Sequence, residues 1–158
     1  MRRYVVAVTL LVAVSTAACA EDIATRFGAL QIGGEFGNRL SFKGHRLVRG
    51  DNRLSPVQTL RMGATDVVLV QETGGTACPA LYYFVRVSAS GAKATPAFGT
   101  CDEFTQVTRK GDRILVSMPG FQGPFEPAAA GAKATREQHV FTYRAGVVTE
   151  KGEPVRRS

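Results

Sequence analysis

The chain reads as all-β: an antiparallel β-sandwich or barrel of about eight short strands, closed by one disulfide and carrying at most one short helix. Three observations predict this. Apolar and polar residues alternate along several runs, glycine-containing turns separate those runs, and no stretch carries a long apolar stripe at the helical period.

In chain order, Leu40–Phe42 and His45–Val48 flank Lys43-Gly44, a pair that suits a tight hairpin because glycine accepts positive φ. Ser55–Met62, opened by Ser55-Pro56, is the one mild helix candidate. Within Asp66–Glu72 the run Val67-Val68-Leu69-Val70 is continuous and apolar, and Gly74-Gly75 ends it, which predicts a buried strand. Leu81–Ser88 alternates, with Leu81, Tyr83, Val85 and Val87 on one face and Tyr82, Phe84, Arg86 and Ser88 on the other. Phe104–Thr108 and Arg113–Met118 flank Lys110-Gly111-Asp112. His139–Arg144 and Val147-Val148 flank Ala145-Gly146. Both pairs read as half-buried hairpins. A longer linker runs from Pro119 to about Thr135, rich in Pro, Gly and Ala, the kind of loop that is either functional or mobile. Gly-Ala-Lys-Ala-Thr occurs twice, at 91–95 and 131–135, in flanks that do not match, and reads as two small-residue turns.

Ahead of these elements, Arg2 and Arg3 precede the apolar run Val5–Val14, and Ala17, Ala18 and Ala20 follow it. Basic head, short apolar middle and small residues form the layout of a secretion signal over residues 1–20, leaving 21–158 as one β-rich domain. The apolar run is shorter than the roughly 20 residues a membrane-spanning helix needs. Ala18-Cys19-Ala20 fits cleavage after Ala20, which is the first reading. Thr16-Ala17-Ala18-Cys19 resembles a lipobox, with Thr16 where leucine is usual, and makes Cys19 a lipidation candidate. The expected location is periplasmic or secreted, with a lipid anchor at Cys19 as the only route to a membrane.

Two cysteines then remain, Cys78 and Cys101, and in an oxidising compartment such a pair forms a disulfide. Chain-entropy arithmetic for the enclosed loop gives about 3.5 kcal/mol of stabilisation. Losing residues 1–20 removes two of the 20 basic side chains and none of the 13 acidic ones, so the net charge becomes +5. All of that excess lies between positions 39 and 61, where Arg39, Lys43, Arg46, Arg49, Arg53 and Arg61 face Asp51 alone. Arg46, Arg49 and Arg53 are binding candidates for an anionic partner: an acidic protein, a lipid headgroup or a cell-wall polymer. Solvated outer faces of hairpins explain the same residues equally well. Nucleic acid is not expected, because no aromatic residues interleave with the basic ones. In the linker, Phe121 and Phe125 either lid the core or project as anchors.

Catalytic chemistry finds little support. His45 and His139 are the only histidines, with no metal-ligand spacing around them, so neither a metal nor another cofactor is expected. Gly-x-Ser-x-Gly is absent, and Asp102-Glu103, adjacent in an extended segment, point to opposite faces. A reduced Cys78 with His139 would make a dyad.

Gly74-Gly75-Thr76-Ala77-Cys78-Pro79-Ala80-Leu81-Tyr82-Tyr83-Phe84, Phe98-Gly99-Thr100-Cys101 and Met118-Pro119-Gly120-Phe121 together resemble a pattern of small, uncharacterised exported bacterial proteins. The resemblance covers about a third of the chain. It implies that the two cysteines belong to a recurring frame and implies no activity. The functional expectation is therefore a non-enzymatic binding module of the cell envelope, of inhibitor or immunity type, whose partner is an envelope or extracellular protein. The alternatives are an envelope enzyme using reduced Cys78 with His139, or a structural envelope component.

Overall fold

The computed structural model describes residues 21–123 and 127–156; the expected secretion signal with Cys19, and Phe125 in the linker, lie outside the described residues. The strands form three antiparallel sheets, each made from a consecutive stretch of chain. The first holds β1 (Glu21–Ile23), β2 (Leu30–Gly33), β3 (Arg39–Phe42) and β4 (His45–Arg49). The second holds β5 (Arg53–Met62), β6 (Thr65–Thr73), β7 (Ala80–Ser88), β8 (Gly91–Ala94) and β9 (Phe98–Cys101). β10 (Gln106–Lys110), β11 (Arg113–Pro119), helix α1 (Ala128–Ala134), β12 (Gln138–Arg144), β13 (Val147–Glu150) and β14 (Glu153–Pro154) follow, and their strands form the third sheet.

Fourteen strands among the described residues replace the expected eight or so. The surplus is short: β1, β8, β9 and β14 have two to four residues each, too few to display an alternation. The sheets stack as a sandwich and none closes into a barrel. The three hairpins read from glycine pairs are present, with Phe42 opposite His45, Lys110 opposite Arg113 and Arg144 opposite Val147. Lys43 and Gly44 both have positive φ, at 49° and 81°, as a type I′ turn requires.

The central sheet is apolar on both sides, and this sets the layering. On β6, Val68 and Val70 join Leu30, Leu40, Phe42 and Val48 in the core shared with the first sheet. Val67 and Leu69 point the other way, into the core shared with Ile114, Val116, Phe141 and Tyr143 of the third. β7 divides likewise: Val85 and Val87 face the first sheet, Tyr82 and Phe84 the third. The alternation expected to mark half-buried strands is thus, on β7, an alternation between two buried faces. Phe98 stacks on Phe84 at 5.3 Å between ring centres and meets Phe141 at the same distance.

The expected helix at Ser55–Met62 is strand β5 instead. Proline is tolerated because β5 is an edge strand, and its ladder with β6 shifts register between Pro56 and Gln58. The extra residue flips the phase of the strand, so Leu54 joins the core with the first sheet and Leu60 the core with the third. The helix among the described residues lies in the expected linker, at Ala128–Ala134. Gly-Ala-Lys-Ala-Thr is accordingly strand at Gly91–Ala94 and helix around Gly131–Ala134.

Two carboxylates on β6 fasten the first sheet to the second. Asp66, Val68, Val70 and Glu72 share one face by the period of the strand. Asp66 Oδ2 accepts from the Arg26 backbone N–H at 2.7 Å, and its Oδ1 accepts from Arg26 Nε at 2.8 Å. Glu72 Oε1 accepts from the N–H groups of Asp51 and Asn52 at 2.7 and 2.9 Å, while Tyr83 donates to Oε2 at 2.6 Å. Gly50 permits this approach, since a Cβ there would lie 2.7 Å from the Glu72 carboxyl carbon.

Burial raises the Asp66 pKa, but the Arg26 hydrogen bonds and charge outweigh it and hold the carboxyl below its usual value. A depressed carboxylate contributes stability that is complete above its unfolded-state pKa of about 3.9 and is lost as pH falls through the lower folded value. Asp66→Asn is expected to cost about 2 kcal/mol at neutral pH and to remove that part of the acid sensitivity. Urea titrations of both proteins across the acid range check it; equal stability at neutral pH would contradict it.

Candidate functional site

Cys78 precedes β7 and Cys101 ends β9, and the two are joined in a disulfide with their Cα atoms 4.7 Å apart. β9 pairs with β7 through Ala80–Cys101, so the bond locks the end of that ladder. Beyond it the loop to β10 is held from beneath. Tyr82 donates its hydroxyl between the carbonyls of Asp102 and Glu103, at 3.1 and 3.2 Å, and the Phe104 N–H donates to Asp102 Oδ1 at 2.7 Å. Burial, aided by the charges of Asp102 and Glu103, pushes the Tyr82 hydroxyl up to about 12. The cysteines therefore form a staple. The Cys78 sulfur is bonded to that of Cys101, and His139 directs Nδ1 to Glu150 Oε1 at 2.6 Å. Among the described residues no three His, Cys, Asp or Glu side chains gather as a metal would need. No helix of the described residues is long and apolar enough to cross a membrane.

The basic segment gathers at one end of the first sheet. Leu40 and Val48 point into the core, so their neighbours Arg39 and Arg49 point out, and the ladder sets these two arginines directly opposite each other. Past a bulge between Leu40 and Ser41, Arg46 lies opposite Ser41 on the same outer face. The β2–β3 loop at residues 34–38 is tied down by main-chain bonds, Gly50 N–H to Asn38 O at 2.8 Å and Leu54 N–H to Gly37 O at 2.9 Å. That places Arg53 beside it, since a Cβ on Gly37 would stand 3.6 Å from Arg53 Cγ. Arg39, Arg46, Arg49 and Arg53 are all exposed, and none is in an ion pair among the described residues. Of the expected binding residues, the structure thus brings Arg49 and Arg53 to one loop and leaves Arg46 farther along the sheet.

The same loop carries Phe36, 67% exposed. Phe121, expected as a lid or an anchor, is half-buried. Phe36 escaped the sequence reading because a lone aromatic among glycines has no periodicity. Arg86 escaped it too: placed on an alternating strand it reads as solvated, yet it lies on the β7 face that carries Tyr82 and Phe84.

Comparison with known proteins gives no matching family model, no similar curated protein and no similar solved structure.

Two measurements check the staple. Thiol titration of the denatured, unreduced protein lacking residues 1–20 should detect no free thiol. Replacing both Cys78 and Cys101 by alanine should cost about 3.5 kcal/mol. A reactive thiol in that protein would contradict the assignment. In an alkaline absorbance titration, one tyrosine with a midpoint near 12 should become ordinary when loop 101–105 is released by reduction.

Proposed function

We propose that the protein is an exported, non-enzymatic binding module of the cell envelope, of inhibitor or immunity type, that docks an acidic surface of a partner protein. The observation that supports it best is the end of the first sheet, where exposed Phe36 stands in a fastened loop beside Arg39, Arg49 and Arg53. Aromatic and arginine side chains supply most binding energy at protein interfaces, and a pre-ordered loop loses little entropy on docking. Like charges directly opposite on a ladder destabilise a sheet, so the Arg39–Arg49 pair is unfavourable until an anionic surface covers it. The signal-like start of the chain and the disulfide fit an oxidising, extracytoplasmic setting.

The surface is tested by affinity capture from envelope extract, with the protein and its variants as bait. Phe36→Ala is expected to lose the captured partner. Arg49→Glu should lose it too while gaining about 0.5 kcal/mol of stability, because glutamate opposite Arg39 replaces repulsion with attraction. Arg113→Ala, on the third sheet, should capture normally. The interaction should weaken as salt rises from about 0.1 M to about 0.5 M, where charges are screened within a few ångströms. An unchanged capture profile from Phe36→Ala and Arg49→Glu would overturn the proposal.

A further inference from the structure

We infer that the cleft between the second and third sheets binds a small carboxylate carried on an apolar body, with Arg86 as the group that holds the charge. The site is independent of the docking surface on the first sheet. Its volume, about 460 Å³, lies in the range of small-molecule sites. Met62, Val67 and Tyr143 give it apolar surface, and Arg86, Arg109 and Arg144 supply positive charge.

The three arginines are not equivalent. Arg144 Nε donates to Asp112 Oδ2 at 2.7 Å, and Arg109 Nε donates to Gly111 O at 3.2 Å, so both are engaged within the third sheet. Both are exposed, whereas Arg86 is half-buried. The Arg86 side chain has no hydrogen bond or ion pair among the described residues. Val67, opposite it on β6, is buried at 1% exposure, and Tyr82 and Phe84 precede it on the same face of β7.

A second polar side chain, Tyr143, lines the cleft nearby. Tyr143 is 2% exposed, and its buried hydroxyl has only a loosely aligned approach from the Gly146 N–H. Burial pushes that hydroxyl's pKa up, while the Arg86 charge and the Gly146 N–H pull it back, and both side chains line the same cleft.

A guanidinium partly withdrawn from water, with no protein partner, gains from an anion that completes its hydrogen bonds. A guanidinium fork matches a carboxylate through two parallel hydrogen bonds. Met62, partly exposed over a floor closed by Val67 and Tyr143, suits the rest of such a molecule, which a bare inorganic anion would leave uncovered.

Phenylacetate is the probe, with phenylacetamide and inorganic phosphate as controls, in calorimetric titrations of the purified protein. Phenylacetate should bind saturably, and phenylacetamide and phosphate at least about tenfold more weakly. Arg86→Met should lose phenylacetate binding yet raise the melting temperature, since it removes an uncompensated charge and fills the cleft with apolar atoms. Arg86→Lys, which keeps the charge without the fork, should bind phenylacetate weakly and keep the fold, so a failure of Arg86→Met to fold leaves the test intact. Equal binding of phenylacetamide, equal binding of phosphate, no saturable phenylacetate binding, or undiminished binding in both variants would each overturn the inference.

Discussion

Strand β6 is covered on both faces, and everything else in the molecule is arranged around that constraint. Four consecutive apolar residues, Val67 to Val70, cannot be hidden by one neighbouring sheet, because alternate side chains leave the strand in opposite directions. Each fully buried valine or leucine is worth about 1.5–3 kcal/mol, so two side chains must be covered on each side. The first and third sheets do this. Asp66 and Glu72, flanking the run, then do what apolar burial cannot: they fix direction and register by accepting particular N–H groups from the first sheet and the segment that follows it.

The arrangement explains why the first sheet can present a surface that is unfavourable in itself. Its inner face is committed to the core with β6 and β7, and its loops are tied to the central sheet at Asp66, Glu72 and Leu54. Held in that way, it can carry two arginines opposite each other and a phenylalanine in water without losing its place. The β9 edge of the central sheet, at the same end of its strands as Glu72, is managed differently. There the Cys78–Cys101 bond and the Tyr82 hydroxyl hold the loop after β9, where Cys101 itself adopts a φ of 71°.

How much of this was legible depended on how local the cause was. The Val67–Val70 run, the glycine hairpins and the disulfide could be read directly, since each depends on side-chain period, turn conformation or compartment. Ser55–Met62 misled, because Ser-Pro before an apolar residue opens helices; only the edge position of β5 and its bulge make Pro56 harmless in a strand. Gly-Ala-Lys-Ala-Thr shows the limit of local reading most plainly. Paired with β7 it is strand, and among the alanines before β12 it is helix, so its neighbours and not its residues decide. For the candidate site, charge clustering found Arg49 and Arg53. It missed Phe36 and Arg86, whose meaning comes from the loop and the cleft that surround them.

Amide hydrogen exchange in Glu72→Ala tests the two-faced role of β6 most directly. Loss of this carboxylate should release the start of β5 and loosen the first sheet, lowering protection at Leu30–Gly33 and Arg39–Arg49, while Ile114–Met118 and Phe141–Tyr143 keep theirs. Protection falling equally in all three sheets, or unchanged in the first, would contradict the claim that the β6 carboxylates hold the first sheet in place.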